Sequence, residues 1–206
     1  MGITIHYRGQ LKSSDLIELF CNELKKIATL MEWPYTTLDN DFKIPTDAHL
    51  EWNDLGCEIV GNLALKGISL IPNKCSSLDF LFDQNGFLRN PIDMITQESF
   101  NNENPPFLFI KTQFAPVDTH IALIKIFRYL KRKYFQFFEV NDEGRYWETG
   151  DEKLLKEKIA FLAQKMDAVS QAFENSYLEL EPGDSDLDIL AKLDKILRDA
   201  DLSSAI

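Results

Sequence analysis

Cysteine is scarce in this chain and poorly spaced for scaffolding. Only Cys21, Cys57 and Cys75 occur. The count is odd and no pair has C-x-x-C spacing, which argues against a disulfide framework and a zinc knuckle. The three read as buried free thiols. Long apolar runs are missing as well: none approaches the ~18–20 residues that span a bilayer. The N-terminus, Gly2-Ile3-Thr4-Ile5-His6-Tyr7-Arg8, alternates where a signal peptide would show a charged head and an apolar stretch. Gly2 sits where a myristoylation signal begins, but His6 occupies the place that motif reserves for Ser or Thr. The expectation is a cytoplasmic protein without a membrane partner.

Motifs of catalysis are also lacking. No serine or cysteine lies in a G-x-S-x-G nucleophile elbow. Gly61-Asn62-Leu63-Ala64-Leu65-Lys66-Gly67 has neither the glycine placement nor the Lys-Ser/Thr ending of a phosphate-binding loop. No G-x-G-x-x-G occurs. The three histidines, His6, His49 and His120, form no H-E-x-x-H or H-x-H pair. No cofactor and no metal is called for by these patterns.

What is present is acid, phenylalanine and helical periodicity. The chain of 206 residues carries a net charge of −11, so phosphate backbones are repelled and nucleic acid is not an expected partner. Phe occurs 15 times, ample aromatic volume for one core. Residues 3–8 read as a strand ended by Gly9. Ser13 or Ser14 then caps a helix whose apolar positions Leu16, Phe20, Leu24, Ile27 and Met31 keep helical spacing to about Glu32. Residues 34–62 resist assignment. Asn62–Ile71 and Leu78–Phe82 read as strands, and Asp83-Gln84-Asn85-Gly86 as a tight turn. Residues 97–106 read as a loop and Phe107–Phe114 as a strand. Pro116 opens a helix to about Tyr134 with Leu123, Phe127 and Leu130 on its apolar stripe. Phe135–Val140 and Arg145–Glu148 read as a hairpin about Asp142-Glu143-Gly144. Thr149 and Glu152 read as a capping box for a helix to Asn175. Glu181-Pro182-Gly183-Asp184 breaks the chain before a last amphipathic helix, roughly Ser185–Asp199.

Strands outnumber crossover helices, so the expected fold is α+β. It has a largely antiparallel sheet, two or three long helices mainly on one face, and a C-terminal amphipathic helix. The element order is similar to helix-grip and TATA-binding-protein-like folds, a likeness of architecture without functional content. Residues 1–180 form the domain and 181–206 an acidic appendage. From Glu174 onward nine acidic residues face three basic ones, a net of −6 that leaves −5 for the rest.

Two site readings follow. The acid-rich stretch Glu139–Asp151 supplies oxygen ligands for a hard cation but matches no EF-hand spacing. With His120 it yields a set of catalytic candidates, Asp118, His120, Glu148 and Asp151, for a metal-dependent hydrolase. The bland alternative is a turn followed by a helix cap, with His120 on an apolar helix stripe. The other reading concerns partners. Lys125, Arg128 and Arg132, with Lys131 and Lys133, make a basic stripe, and Leu190, Leu193 and Leu197 make an apolar stripe on the acidic tail. Tail and stripe suit one another, within one chain or between copies, and a docking helix of this kind fits a groove.

Gly2–Gly9, Lys111-Thr112-Gln113-Phe114-Ala115 and Tyr146-Trp147-Glu148-Thr149-Gly150-Asp151 resemble a bacterial family of proteins with no assigned activity. The resemblance covers roughly residues 1–170 and implies a bacterial, cytoplasmic setting. The expected function is a non-catalytic protein-interaction or regulatory module. The alternatives are the hydrolase and a small-ligand binder with an aromatic-lined cavity.

Overall fold

The alternation at the N-terminus builds β1 (Thr4–Leu11), with Ile5, Tyr7 and Leu11 fully buried. The computed structural model describes residues 3–54, 56–96 and 105–175, with Ser185, Ala191, Lys192 and Lys195; the side chains of Val169 and residues 172–175 are outside the description. Gly9 does not end β1. It lies mid-strand, where a Cβ would stand 2.7 Å from the carbonyl oxygen of Phe137, so only glycine lets the neighbouring strand approach.

β1 is the centre of a three-stranded antiparallel sheet. β7 (Leu108–Lys111) lies on one side and β8 (Phe135–Asp142) on the other. A second antiparallel sheet orders β2 (Tyr35–Asp39), β5 (Lys66–Leu70) and β6 (Leu78–Phe82) as β2-β5-β6. The predicted turn at Asp83–Gly86 forms, with Gly86 N–H on Asp83 O at 2.9 Å. It delivers Phe87 to Gln10 and Leu88 to Phe82 as bridges that join the two sheets. Tyr7 fastens them again: its hydroxyl donates to Asp79 O at 2.9 Å and accepts Asp79 N–H at 3.1 Å. Burial, then the nearby Asp79 charge, pushes this phenol well above its ordinary range.

Helices α1 (Ile17–Leu30) and α3 (Val117–Lys133) bring apolar faces to one core shared with both sheets. Phe20 packs edge-on against Phe80 and Phe82, and Phe127 against Tyr7, Phe80 and Phe138. Each such ring contributes about 1.5–3 kcal/mol on burial. These phenylalanines fill the core. α2 (Pro91–Thr96) sends Met94 to a smaller cluster of Leu63, Leu65 and Leu81.

Two expectations are corrected around residue 145. Arg145–Glu148 does not return as a strand; Tyr146–Thr149 forms the short helix α4. The cause is Asp142, whose carboxylate accepts N–H bonds from Gly144 at 2.7 Å and Trp147 at 2.9 Å and so winds the chain. Arg145, at φ 62°, makes the bend. Thr149 does not cap the following helix. α5 (Glu152–Asn175) is capped by Asp151, which accepts from Lys153 and Leu154 N–H at 2.9 and 3.1 Å. Thr149 Oγ1 instead donates to Arg145 O at 2.7 Å. Residues Leu190, Leu193 and Leu197, with most of the expected tail helix and residues 97–104 of the expected loop, lie outside the described residues.

The unassigned region resolves into β2 and a separate hairpin, β3 (His49–Asn53) and β4 (Gly56–Val60), paired only with each other. No described helix is long and apolar enough to cross a membrane.

Candidate functional site

The histidine and carboxylate candidates sit on or next to α3, α4 and α5. His120, buried in the first turns of α3, spends both ring nitrogens internally. Nδ1 meets Thr112 Oγ1 at 2.8 Å, and Nε2 meets the Asp142 carboxylate at 3.2 Å. Burial pulls the Asp142 carboxyl upward. The His120 hydrogen bond and charge, with the Trp147 and Gly144 N–H groups, outweigh it and hold the acid below its ordinary value. A hydroxyl–imidazole–carboxylate row is thus present, with Thr112 and His120 fully buried and Asp142 2% exposed. It ties β7, α3 and β8 together.

Of the other candidates, Asp118 lies in the first turn of α3, Glu148 is exposed on α4 and Asp151 caps α5. Among the described residues no three His, Cys, Asp or Glu side chains are grouped to hold a metal ion. His6 stands 3.8 Å from Glu143, and exposed His49 bonds Glu51 at 3.0 Å. The bond to Glu51, then that to Asp47 O, raises the His49 pKa.

The basic stripe is partly consumed by the fold. Arg128 donates to Tyr146 O at 3.1 Å and Trp147 O at 2.7 Å and lies over both rings, holding α4 on α3. Lys133 pairs with Glu23 at 2.7 Å, where Tyr129 and Tyr134 also donate. Lys131 lies 5.5 Å from the Trp147 ring. Lys125 and Arg132 are exposed.

The β3–β4 hairpin presents a different surface. Its register sets Leu50 opposite Ile59 and Trp52 opposite Cys57. Facing residues of an antiparallel pair share a side, so these four make one apolar face. His49, Glu51, Glu58 and Val60 make the other. Trp52 is 80% exposed, and Leu50, Cys57 and Ile59 are exposed too. The base is firmly held: Asn62 N–H donates to Asp47 at 2.6 Å, and Asn62 Nδ2 to Ile44 O at 2.7 Å. Ala48 packs on the smaller apolar cluster below. The element is a finger on a fixed base. Residues 44–65 contain Asp47, Glu51, Asp54 and Glu58 and no Lys or Arg, so the finger is acidic throughout.

Trp52 is absent from the sequence-derived candidates. A readable signal exists: alternation in His49-Leu50-Glu51-Trp52-Asn53 and a turn-prone Asn53-Asp54 with Gly56. The neighbouring Asp-, Asn- and Pro-rich turns mask it.

No known protein family, curated protein or solved structure matches this chain.

Proposed function

We propose that this chain is a protein-interaction module whose contact element is the β3–β4 finger. Its partner is a protein with a cleft that is apolar at its floor and basic at its walls. The observation that carries the reading is the joint exposure of Leu50, Trp52, Cys57 and Ile59 on one side of a hairpin that pairs with nothing else described. A two-stranded hairpin is marginal in water unless something covers its apolar side. An exposed tryptophan set among aliphatic side chains serves as a binding anchor. Charge chooses the partner: four carboxylates with no Lys or Arg over residues 44–65, and only His49 beside one of them, favour a basic surface and speed its encounter. Glu51 directly opposite Glu58 costs the isolated hairpin stability, a cost relieved by cations on the partner. The proposed setting is the cytoplasm of a bacterium, in keeping with three free thiols and with the motif resemblance. Occupancy of the partner's cleft is the regulatory act.

A photo-reactive phenylalanine analogue placed at Leu50 in the full chain, in producing cells, tests this. The expected result is a discrete adduct with a basic protein. The adduct disappears with Trp52→Asp and does not form from the same analogue at exposed Phe114. Absence of an adduct, equal labelling from Phe114, or an adduct solely with a second copy of this chain overturns the reading.

A further inference from the structure

The outer edges of β6 and β7 are closed by the protein's own groups. Asp79 meets the Tyr7 hydroxyl, Leu81 O accepts Arg89 N–H at 2.9 Å, and Lys111 exchanges bonds with Ser76 at 2.9 and 3.2 Å. β2 differs. Pro34 O accepts Ile71 N–H at 2.8 Å, and Asn40 N–H donates to Leu65 O at 3.1 Å. Bonding alternates along an antiparallel strand, so the even-numbered residues of this run face β5. Tyr35, Thr37 and Asp39 therefore turn their N–H and C=O groups outward, and among the described residues nothing bonds them. The usual guards of an open edge are missing as well. β2 has no lysine, proline or bulge, and its one charge, Asp39, is paired with Lys66 at 2.7 Å. The same strand carries a knob and a hole. Tyr35 and Thr37 stand opposite buried Leu70 and Ile68, which belong to the core beneath α1, so with Asp39 they project toward the α1 side. Tyr35 is 42% exposed. At Asp39 a groove of about 560 Å³ lies between β2 and α1, with Glu18, Asn22, Lys25 and Lys66 among its walls.

We propose that a second copy of this chain pairs with β2 through its own β2, antiparallel about a two-fold axis at Thr37. Thr37 then faces its counterpart, and Tyr35 faces the partner's Asp39. The outward N–H and C=O groups of both strands are satisfied, and the sheet β2-β5-β6 continues into its copy. Each Tyr35 ring enters the other copy's groove, where Asn22, Lys25 and Asp39 offer partners to its hydroxyl. One axis fills both grooves, the reciprocity that an isologous contact requires. No like charges stand opposite each other along β2 in this register. An unrelated strand could bond the edge, but β2 itself carries the aromatic at the step that the groove needs. This contact uses neither Trp52 nor the finger and stands apart from the proposed function.

Sedimentation equilibrium of the full chain, with reductant present to keep Cys57 free, tests it. A monomer–dimer equilibrium is expected. Thr37→Pro removes an outward N–H and leaves the ladder to β5 whole. Thr37→Lys sets like charges against each other on the axis. Each is expected to weaken association at least ~10-fold with the urea midpoint unchanged. If the proline variant fails to fold, Thr37→Lys decides alone. Tyr35→Ala weakens association about 10-fold, as for loss of an aromatic anchor, and Trp52→Asp leaves it unchanged. A chain that stays monomeric throughout the micromolar range overturns the proposal. So does a dimer that survives Thr37→Lys, or one that Trp52→Asp dissolves, because another surface would then hold it.

Discussion

His120 and Asp142 meet at 3.2 Å inside the protein, and each is also held by a further neighbour. His120 reaches Thr112 on the strand side, and Asp142 gathers two N–H groups of the following turn. Asp142→Asn keeps an acceptor for one of those donors and removes the charge that the others face. Loss of a partner from a buried pair costs about 3 kcal/mol, so the urea midpoint falls without a change in slope. The pH dependence has a fixed sign. Asp142 titrates lower in the folded protein than in the unfolded chain. Its contribution is complete above the ordinary aspartate value of about 3.9 and is lost as the pH falls through the lower folded value. Urea titrations across the acid range should show this stabilisation in the parent and its absence in the variant.

Gly144 lies where a Cβ would stand 2.7 Å from the Leu155 side chain, 3.0 Å from the Asp142 carboxylate and 3.1 Å from the His120 ring. Gly144→Ala therefore pushes α5 away from the buried row. A loss of about 1–3 kcal/mol is expected for overpacking of this kind, together with a changed chemical shift for the His120 ring protons. An unchanged melting curve would show that α5 yields without cost.

The three thiols should react in order. Burial pushes Cys21 up to about 11, chiefly by desolvation, and Cys75 to about 11 for the same reason, while Cys57 is exposed on the finger. One equivalent of a maleimide should couple rapidly at neutral pH, at Cys57, with the other two slow. Partner occupancy of the hairpin's apolar face should shield Cys57. Peptide mapping of the first adduct decides the matter.

Trp52 carries the proposed contact but little of the folding stability. Trp52→Ala should leave the global urea midpoint within the shift of a surface change, about 0.5 kcal/mol. Affinity for the partner trapped by cross-linking should fall about 30-fold, the loss of a ~2 kcal/mol anchor. Equal losses in stability and affinity would assign Trp52 to the fold instead.

The sequence by itself determined the elements whose periodicity is strong and whose burial is one-sided. Local spacing revealed α1, α3, β6 and the Asp83–Gly86 turn, because a helix stripe or a turn residue answers to neighbours a few positions away. It also revealed the α+β class and the mainly antiparallel pairing. Tertiary structure decided what distant partners impose. Asp142 wound Tyr146–Thr149 into a helix where a strand was expected, because a single carboxylate could collect two N–H groups there. Gly9 became a close-approach point inside β1 once β8 lay beside it. His120 became a structural tie because Thr112 and Asp142, 8 and 22 residues away, closed around both its nitrogens. Only the folded chain placed Trp52 and Cys57 opposite each other in solvent. Alternation in a sequence shows that a strand has two faces; which face lacks a cover depends on every other element.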